Sequence, residues 1–427
     1  MDNTPPKGTN DWFPEEFALR SYIFSKWREV CIRFGYQEYL APVFERAEIY
    51  KAKSGEDIGG KELMMFNDKA GREYALRPEM TPSVTRMVTR VYGALPKPLR
   101  WFSIANFVRN EKPQRGRNRE FWQLNFDIFG SQSNAADTEV IRLAMEIMLS
   151  FSPPEGSFTV QINNRRLIDF VLGDVAGVAQ KLRGQVVRVL DKTAKLSPVE
   201  LSGRLKELGL GDNQIEMLLK FVSSHDEASL VANLPQVEAS QGLAEIREVL
   251  KYFADAGLSK WMSFNPSIIR GFDYYDGMVF EVFDNHPENN RALFGGGRYN
   301  GLAELFGSQQ IPAVGAAPGD ETTKLFLQSW GLLEQVNANT REYYYAPLLS
   351  GDSKVGLALE KIKNELRSTG EIVMSGLEVE SLGKALKQAN KYSSQKIIIL
   401  GDEELVAGVY KIKNMQTGEE REIKLTQ

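Results

Sequence analysis

The sequence predicts a multidomain protein of α+β and α/β class: an antiparallel sheet flanked by helices, a helical insertion, and a C-terminal α/β domain. Three observations predict it. Two strand-like runs, LRWFSIANFVRNE and REFWQLNFDIFG, flank a polar loop, KPQRGRN, as in an antiparallel pair. From about residue 165 to 260, helical periodicity takes over and strand signal nearly vanishes. After about residue 340, strands and helices alternate, which implies a small, partly parallel sheet. A chain of 427 residues is too long for one ordinary core, and about 150 residues per domain gives two to three.

The elements follow in order. Phe17, Ile23, Trp27, Val30 and Phe34 have helical spacing, and Gly35 ends that helix. YQEYLAPVF reads as a strand, with Pro42 marking an edge or a bulge. KELMMFNDKAGREYALRP reads as a hairpin turning at residues 68–71, and PSVTRMVTRVYGAL as a helix. A helix over 137–149 precedes the strand SFTVQINN. SPVELSGRLKELG, NQIEMLLKFVSS and QGLAEIREVLKYFADAG are helices; in the last, Leu243, Ile246, Val249, Leu250 and Phe253 form one core-packing stripe. Strand character returns in PSIIRGFDYYDGMVFEVFD and LFGGGRYNGL. Beyond a boundary near NANTREYY, the strands YYYAPLL, EIVMSG and KIIIL alternate with two helices before a closing hairpin. The expected borders are 1–160 with 262–335 for the sheet domain, 161–261 for the insertion and 336–427 for the last domain.

Composition narrows the chemistry. Net charge is -4, and no stretch approaches the roughly 18 apolar residues of a membrane span. The N-terminal MDNTPPKGTNDWFPEE has no apolar signal core, so a cytoplasmic location with no membrane partner is expected. The single cysteine, Cys31, lies in an apolar helical stretch and reads as a buried small hydrophobe. Only two histidines are present, His225 and His286, which disfavours zinc sites and nucleophile–histidine triads. Catalysis here would draw on arginine, carboxylate, amide and tyrosine, a set suited to positioning and charge stabilisation.

Four stretches could carry that chemistry. In VRNEKPQRGRNREFWQ, residues 108–123, five basic residues crowd an acidic chain. A solvated charged hairpin is the plain reading of such a run. Yet Arg109 and Glu111, two apart on an expected strand, would share a face, as would Gln123 and Asp127 on the return strand. Arginine forks bind phosphate oxygens in bidentate fashion, and Glu111 or Asp127 could hold an amine. Arg115, Arg117 and Arg119 could grip a nucleic-acid backbone. ALRPEMTPS, at 75–83, is weak evidence alone. In IIRGFDYYDGMVFE, Arg270 and Asp273 could form a buried structural pair; equally, Arg270 could neutralise phosphate charge while Tyr275 offers a hydroxyl. FGGGRYNGL lets a ligand approach the backbone closely but lacks the dinucleotide-binding spacing.

Together and in this order, LRPEMT, RNEKPQRGRNREFWQ, IRGFDYYDG and FGGGRYNGL resemble the class II aminoacyl-tRNA synthetases. The narrower resemblance is to the histidyl-tRNA synthetases. PKGTNDWFPEE, APVFERAEIYKAKSGED and ALKQANKYSSQKIIILGDEELVAGVYKIKN extend it along essentially the whole chain. The resemblance implies a class II antiparallel sheet, a helical insertion that clamps tRNA and an anticodon-binding domain. It implies L-histidine and tRNA(His) as substrates, ATP and Mg²⁺ as cofactors, a histidyl-adenylate intermediate, and a homodimer with Pro42 at its interface. Arg109 and Arg270 match the arginines on the α-phosphate. Glu111, Arg117, Phe121 and Glu321 match the ATP side. Glu79, Thr81, Gln123, Asp127, Arg270, Tyr274, Tyr275 and Tyr299 match the histidine site, with Asp127 where glutamate is usual. Arg115, Arg117 and Arg119 would meet the acceptor end of tRNA, and Lys384 and Lys387 its other end. No protein ligand set for a resident metal is expected.

One departure matters. In PAVGAAPGDETTKLFL, Thr322 stands where the family has the arginine that grips the γ-phosphate. Two readings follow. One is an active synthetase that supplies this charge through Lys324 or Mg²⁺. The other is a catalytically inactive, synthetase-like regulatory subunit of histidine biosynthesis. Such regulators typically lack the arginine of RGFDYY and the C-terminal domain, and this chain has both. A synthetase for another amino acid is a third alternative. Trp122, where histidine is common, and Asn110 are lesser departures.

Overall fold

The computed structural model describes residues 3–51, 62–191, 193, 196–269, 274–289, 291–333 and 342–425. The chain divides into two compact units, residues 1–333 and 334–427.

In the first unit, helix α1 (Pro14–Arg33) opens with Pro14, whose fixed φ suits a first helical turn. The carboxylate of Glu16 accepts the Phe13 N–H (3.0 Å), and Gly35, at φ 78°, closes the helix in the left-handed conformation. Ile23, Trp27, Val30 and Cys31 are buried, whereas Phe17 stays exposed. Burial also pushes the Cys31 thiol pKa far up, which suits its packing role. Strands β1 (Gln37–Glu38) and β2 (Phe44–Arg46) follow, then α2 (Glu48–Lys51). Strands β3 (Met65–Asn67) and β4 (Glu73–Leu76) form the expected hairpin, and β2 pairs with β4 to make a three-stranded sheet. Pro42 is not within a strand. It lies between β1 and β2, because Arg77 captures the carbonyls of Ala41 (2.8 Å) and Pro42 (3.4 Å).

After α3 (Thr81–Val91), strands β5 (Leu99–Val108) and β6 (Glu120–Phe129) form a long antiparallel pair, with Leu99 opposite Phe129 and Val108 opposite Glu120. Next come α4 (Asn134–Leu149), β7 (Phe158–Asn164), α5 (Arg165–Phe170) and a π-helical turn over residues 171–175. Helices α6 (Gln180–Leu190), α7 (Pro198–Glu207), α8 (Asp212–Ser223), α9 (Glu227–Asn233) and α10 (Gln241–Asp255) complete the helical segment. Strands β8 (Met262–Phe264), β9 (Met278–Asp284), β10 (Arg291–Arg298) and β11 (Ala313–Ala316) and helix α11 (Asp320–Ser329) close the unit. Eight strands make one sheet in the order β1-β5-β6-β11-β10-β9-β7-β8; β1–β5 and β7–β8 are parallel and the other pairs antiparallel.

Alternation along β5 and β6 splits the sheet into two faces. Phe102, Ile104, Leu124, Phe126 and Ile128 join α1, α4 and the helical segment in one continuous core. Leu243, Ile246, Val249 and Phe253 of α10 are fully buried in it. Strand β7 runs past residue 160, so the helical segment begins only after Asn164, whose side-chain oxygen caps α5 by accepting the Arg166 N–H. Of PSIIRGFDYYDGMVFEVFD, only the Met278–Asp284 part is strand; the Ile268 N–H turns back onto the Asn265 carbonyl.

The second unit is a five-stranded sheet built from β12 (Tyr343–Leu348), β13 (Ile372–Val379), β14 (Lys396–Ile399), β15 (Val409–Asn414) and β16 (Glu420–Lys424), in the order β13-β12-β14-β15-β16. The pairs β12–β13 and β12–β14 are parallel and the last two strands form the closing hairpin. Helices α12 (Ser353–Ser368), α13 (Leu382–Lys391) and α14 (Asp402–Ala407) connect them. No helix among the described residues is long and apolar enough to cross a membrane.

Candidate active site

The other face of β5 and β6 carries Trp101, Ser103, Ala105 and Phe107 opposite Asp127, Asn125, Gln123 and Phe121. Asp127 is 4% exposed. Its Oδ1 accepts the Tyr299 hydroxyl at 2.5 Å. Burial, only partly opposed by that bond, pushes the carboxyl pKa up to about 7. The carboxylate fits because position 315 is glycine: a Cβ there would stand 1.8 Å from Asp127 Oδ1. Gly297 does the same for Tyr275, whose ring carbon would lie 2.8 Å from a Cβ. Gly297 of the glycine-rich run and Gly315 of β11 thus each admit a side chain of the site itself.

Asp127 and Tyr299 continue into a second buried acid. The Tyr299 ring packs edge-on against Tyr274 (5.8 Å), and Tyr274 stacks obliquely with Tyr275 (4.9 Å). The Tyr274 hydroxyl donates to Glu79 (3.1 Å), and Thr81 also hydrogen-bonds this tyrosine. Burial first, then the nearby Glu79 charge, pushes the Tyr274 pKa well above its ordinary value. Next to Glu79, the Pro78 carbonyl accepts Arg109 Nε at 3.0 Å. The Arg109 guanidinium lies 5.0 Å from the Phe121 ring centroid, and Phe121 stacks on Phe107. The result is a row of side chains from one cation, Arg109, past two phenol–carboxyl pairs to Asp127, the pairs joined to each other by ring contact. Gln123, half-buried on the same face, bridges to Gly319.

The arginine run divides differently from expectation. Strand β5 stops at Val108, so Arg109 and Glu111 are not two residues of one strand. The Arg109 N–H still donates to the Arg119 carbonyl, but Asn110 turns away to donate to the Glu62 carbonyl (2.7 Å). Glu111 instead faces Arg117 at 3.9 Å. Arg117 is exposed, and its backbone pairs with Gln114 across a tight turn with Arg115 and Gly116 at the tip. Arg119 is turned inward along the N-terminal segment: its guanidinium donates to the carbonyls of Glu111 (3.2 Å) and Lys7 (3.3 Å). Trp122 points to the opposite face, with its ring 5.2 Å from Phe24, while its backbone N–H donates to Asp320 Oδ1 (3.0 Å).

At the head of α11, the Thr322 and Thr323 hydroxyls both donate to the Gly319 carbonyl (3.1 and 2.8 Å). Thr322 is therefore bound to its own helix turn. Arg20 of α1 reaches this turn, 2.6 Å from Asp320 and 3.6 Å from Glu321, beneath the Trp12 ring. Burial raises the Asp320 pKa to about 6 although Arg20 opposes the shift. Lys324 Nζ also approaches the Trp12 ring, 5.3 Å from its centroid. Glu321 Oε1 is buried and makes no hydrogen bond among the described residues.

Arg270 and Asp273 lie outside the described residues. Three groups on the site face escaped sequence reasoning: Tyr39 Oη, Ser103 Oγ and Asn125 Nδ2 are buried without a hydrogen-bond partner among the described residues. Ser103 and Asn125 are directly opposite each other, beside Asp127. Alternation could place them on this face, but nothing local marks them as unsatisfied. In the second unit, Lys384 and Lys387 are exposed on one face of α13.

Residues 8–319 match the family described as histidyl-tRNA synthetase, and residues 345–427 match the anticodon binding domain. A protein named histidine--tRNA ligase from Leptospira biflexa is 37% identical over 409 residues, covering 96% of this chain and 92% of that protein. One of the same name from Pyrococcus horikoshii is 36% identical over 431 residues, covering 99% and 96%. The crystal structure of a histidyl-tRNA synthetase from Nostoc sp. PCC 7120 superposes with a TM-score of 0.81 at 21% identity, over 99% of this chain and 97% of that one.

Proposed function

The chain belongs to the histidyl-tRNA synthetase family of class II aminoacyl-tRNA synthetases, and we propose that it joins L-histidine to tRNA(His) through a histidyl-adenylate. The observation that carries this reading is the line from Arg109 through Glu79–Tyr274 to Tyr299–Asp127. It offers a phosphate-binding cation at one end and an acid near its titration point at the other. In this reading the histidine carboxylate attacks the α-phosphorus of ATP, and pyrophosphate leaves. Arg109 and Arg270 offset the charge on the α-phosphate. Glu79 and Thr81 hold the α-amino end with Tyr274, while Gln123, Asp127, Tyr275 and Tyr299 hold the imidazole.

No base is required for the first step, since the attacking carboxylate is already ionised; positioning and charge stabilisation suffice. The tRNA 3′ hydroxyl then attacks the carbonyl carbon and AMP leaves. Phe121 stacks beneath Arg109 on the ATP side, with Glu111 and Arg117. Mg²⁺ would be held mainly by the substrate phosphates, whose charge it neutralises when bound; on the protein side Glu321, 3.6 Å from Arg20, is the carboxylate that would approach it. Lys384 and Lys387 face the anticodon end of the tRNA. The exposed apolar side chains around Pro42, Leu40, Val43, Phe44, Met65 and Phe66, support a homodimer interface. We place the enzyme in the cytoplasm, with residues 165–261 as the tRNA clamp.

Thr322 favours a second reading, a histidine-binding regulatory subunit without adenylation, because its hydroxyl is engaged at Gly319. Amino-acid-dependent ATP–pyrophosphate exchange, run with each of the twenty amino acids, separates the two. Exchange with histidine alone is expected, and Arg270→Ala should abolish it while the protein stays folded. Histidine binding without exchange would establish the regulatory reading instead.

A further inference from the structure

We propose that Arg291 is the positioning residue for the Arg115–Gly116 turn, and that the turn it holds presents Arg115 and Arg117 to the phosphates of the tRNA acceptor end. This rests on the synthetase reading, which supplies the polyanion but says nothing of Arg291.

Between β5 and β6 the chain projects two arginines, Arg115 and Arg117, on either side of Gly116, while Arg119 is turned inward. The mutual repulsion of the projecting pair, and the short Gln114–Arg117 pairing, would leave the tip poorly fixed on its own. Two contacts from distant elements hold it. Arg291, the first residue of β10, donates from Nη1 to the Arg115 carbonyl at 2.9 Å. Gly116, at φ 75°, lies against Leu325 of α11 and the same guanidinium; a Cβ there would be 2.9 Å from Leu325 Cδ1 and 3.3 Å from Arg291 Nη1. The tip is thus docked through its main chain, which leaves the Arg115 and Arg117 side chains outside the dock.

Arg291 is itself aimed by a buried relay. Its Nε donates to Asn289 Oδ1 (3.0 Å), and Asn289 Nδ2 donates to Asp284 Oδ2 (2.6 Å). Asp284 is fully buried, and its Oδ1 accepts the Trp330 indole N–H and the His286 N–H, both at 2.9 Å. Asp284 and Asn289 terminate one strand and precede the next, and Trp330 follows α11. Arg291 makes no ion pair among the described residues, so its charge adds to the positive field of the turn. A guanidinium fixed at one edge, bound to a carbonyl and close to two exposed arginines, suits an approaching phosphate backbone.

The test uses the full chain and a tRNA(His) transcript. Arg291→Ala should raise KM for tRNA about tenfold, the scale of one hydrogen bond of roughly 1.4 kcal/mol, with kcat changed much less. Arg291→Lys should recover most of the loss, because an ammonium can also reach a carbonyl. In an Arg115→Ala/Arg117→Ala background, adding Arg291→Ala should change KM less than about twofold, since the turn then has nothing to present. An unchanged KM for tRNA, or fully additive effects in that background, overturns the proposal. Trypsin cleavage after Arg115 and Arg117 tests the anchor without activity: it should be faster in Arg291→Ala than in the wild type. Equal cleavage overturns the proposal, whereas a wild type inactive in exchange overturns only the synthetase reading.

Discussion

Asp127 is a carboxyl group held inside the protein with one phenol as its hydrogen-bond donor. Its pKa of about 7 means that the folded protein keeps a proton that the unfolded chain releases near pH 4. The sign follows. As pH rises from about 4 to about 7, the unfolded state ionises and the folded state does not, so stability falls; above that window it levels off. Asp127→Asn removes this dependence and still accepts the Tyr299 hydroxyl. The variant should therefore gain stability relative to the wild type between about pH 5 and pH 8, by at most roughly 1.4 kcal/mol per pH unit. Urea unfolding at the two pH values measures it, and a difference that does not move with pH would count against a buried, raised acid.

At the scale of elements, the site depends on bare strands. Gly315 of β11 faces Asp127, and a Cβ there meets both Oδ1 (1.8 Å) and the Phe126 carbonyl (2.8 Å). Strand β11 is internal, paired with β6 and β10, so it cannot retreat. Gly315→Ala should displace the carboxylate, break the Tyr299–Asp127 bond, and cost roughly 1–3 kcal/mol or more, as overpacking does. Resistance to unfolding and, under the proposed function, histidine binding should both weaken; wild-type values in both would show that the strand can yield.

Such pairings explain what sequence could and could not reveal. The hairpin of β5 and β6, helices α7, α8 and α10 and the alternating second unit are legible, because periodicity and turn residues are local; α5, α6 and α9 are not. Motif resemblance pointed to Glu79, Asp127, Tyr274 and Tyr299, which the fold brings together from four distant segments. Arg20 was illegible: it reads as an ordinary charge near the start of a helix, yet it is buried against Asp320, 300 positions downstream. The glycines of FGGGRYNGL suggested ligand approach, whereas Gly297 admits the Tyr275 ring. Alternation puts Arg109 and Glu111 on one strand because it cannot show where pairing stops, and β5 ends at Val108. Asn110 bonding to Glu62 is a tertiary event.

At the scale of the molecule, each unit has apolar cores of its own. The principal core of the first runs from Ile23 to Leu332 and includes the helical segment, so that segment is not expected to unfold apart from the sheet. The second unit has cores around Tyr344, Ile362 and Ile398 on one side of its sheet and Tyr345, Ala385 and Ile397 on the other. Every residue in the line from Arg109 to Asp127 belongs to the first unit. Under the proposed function, chemistry on histidine and ATP should therefore survive removal of residues 334–427, while capture of the tRNA should not. A chain of residues 1–333 is expected to unfold cooperatively and to retain histidine-dependent exchange within about threefold, the small change expected when no contact to the reacting groups is lost. Its kcat/KM for tRNA should fall by roughly a hundredfold or more, because the second attachment raises the local concentration of the acceptor end. Exchange and aminoacylation on the same preparation measure both. A shortened chain that folds but has lost exchange would mean that the second unit shapes the adenylation site, contrary to the separation of their cores.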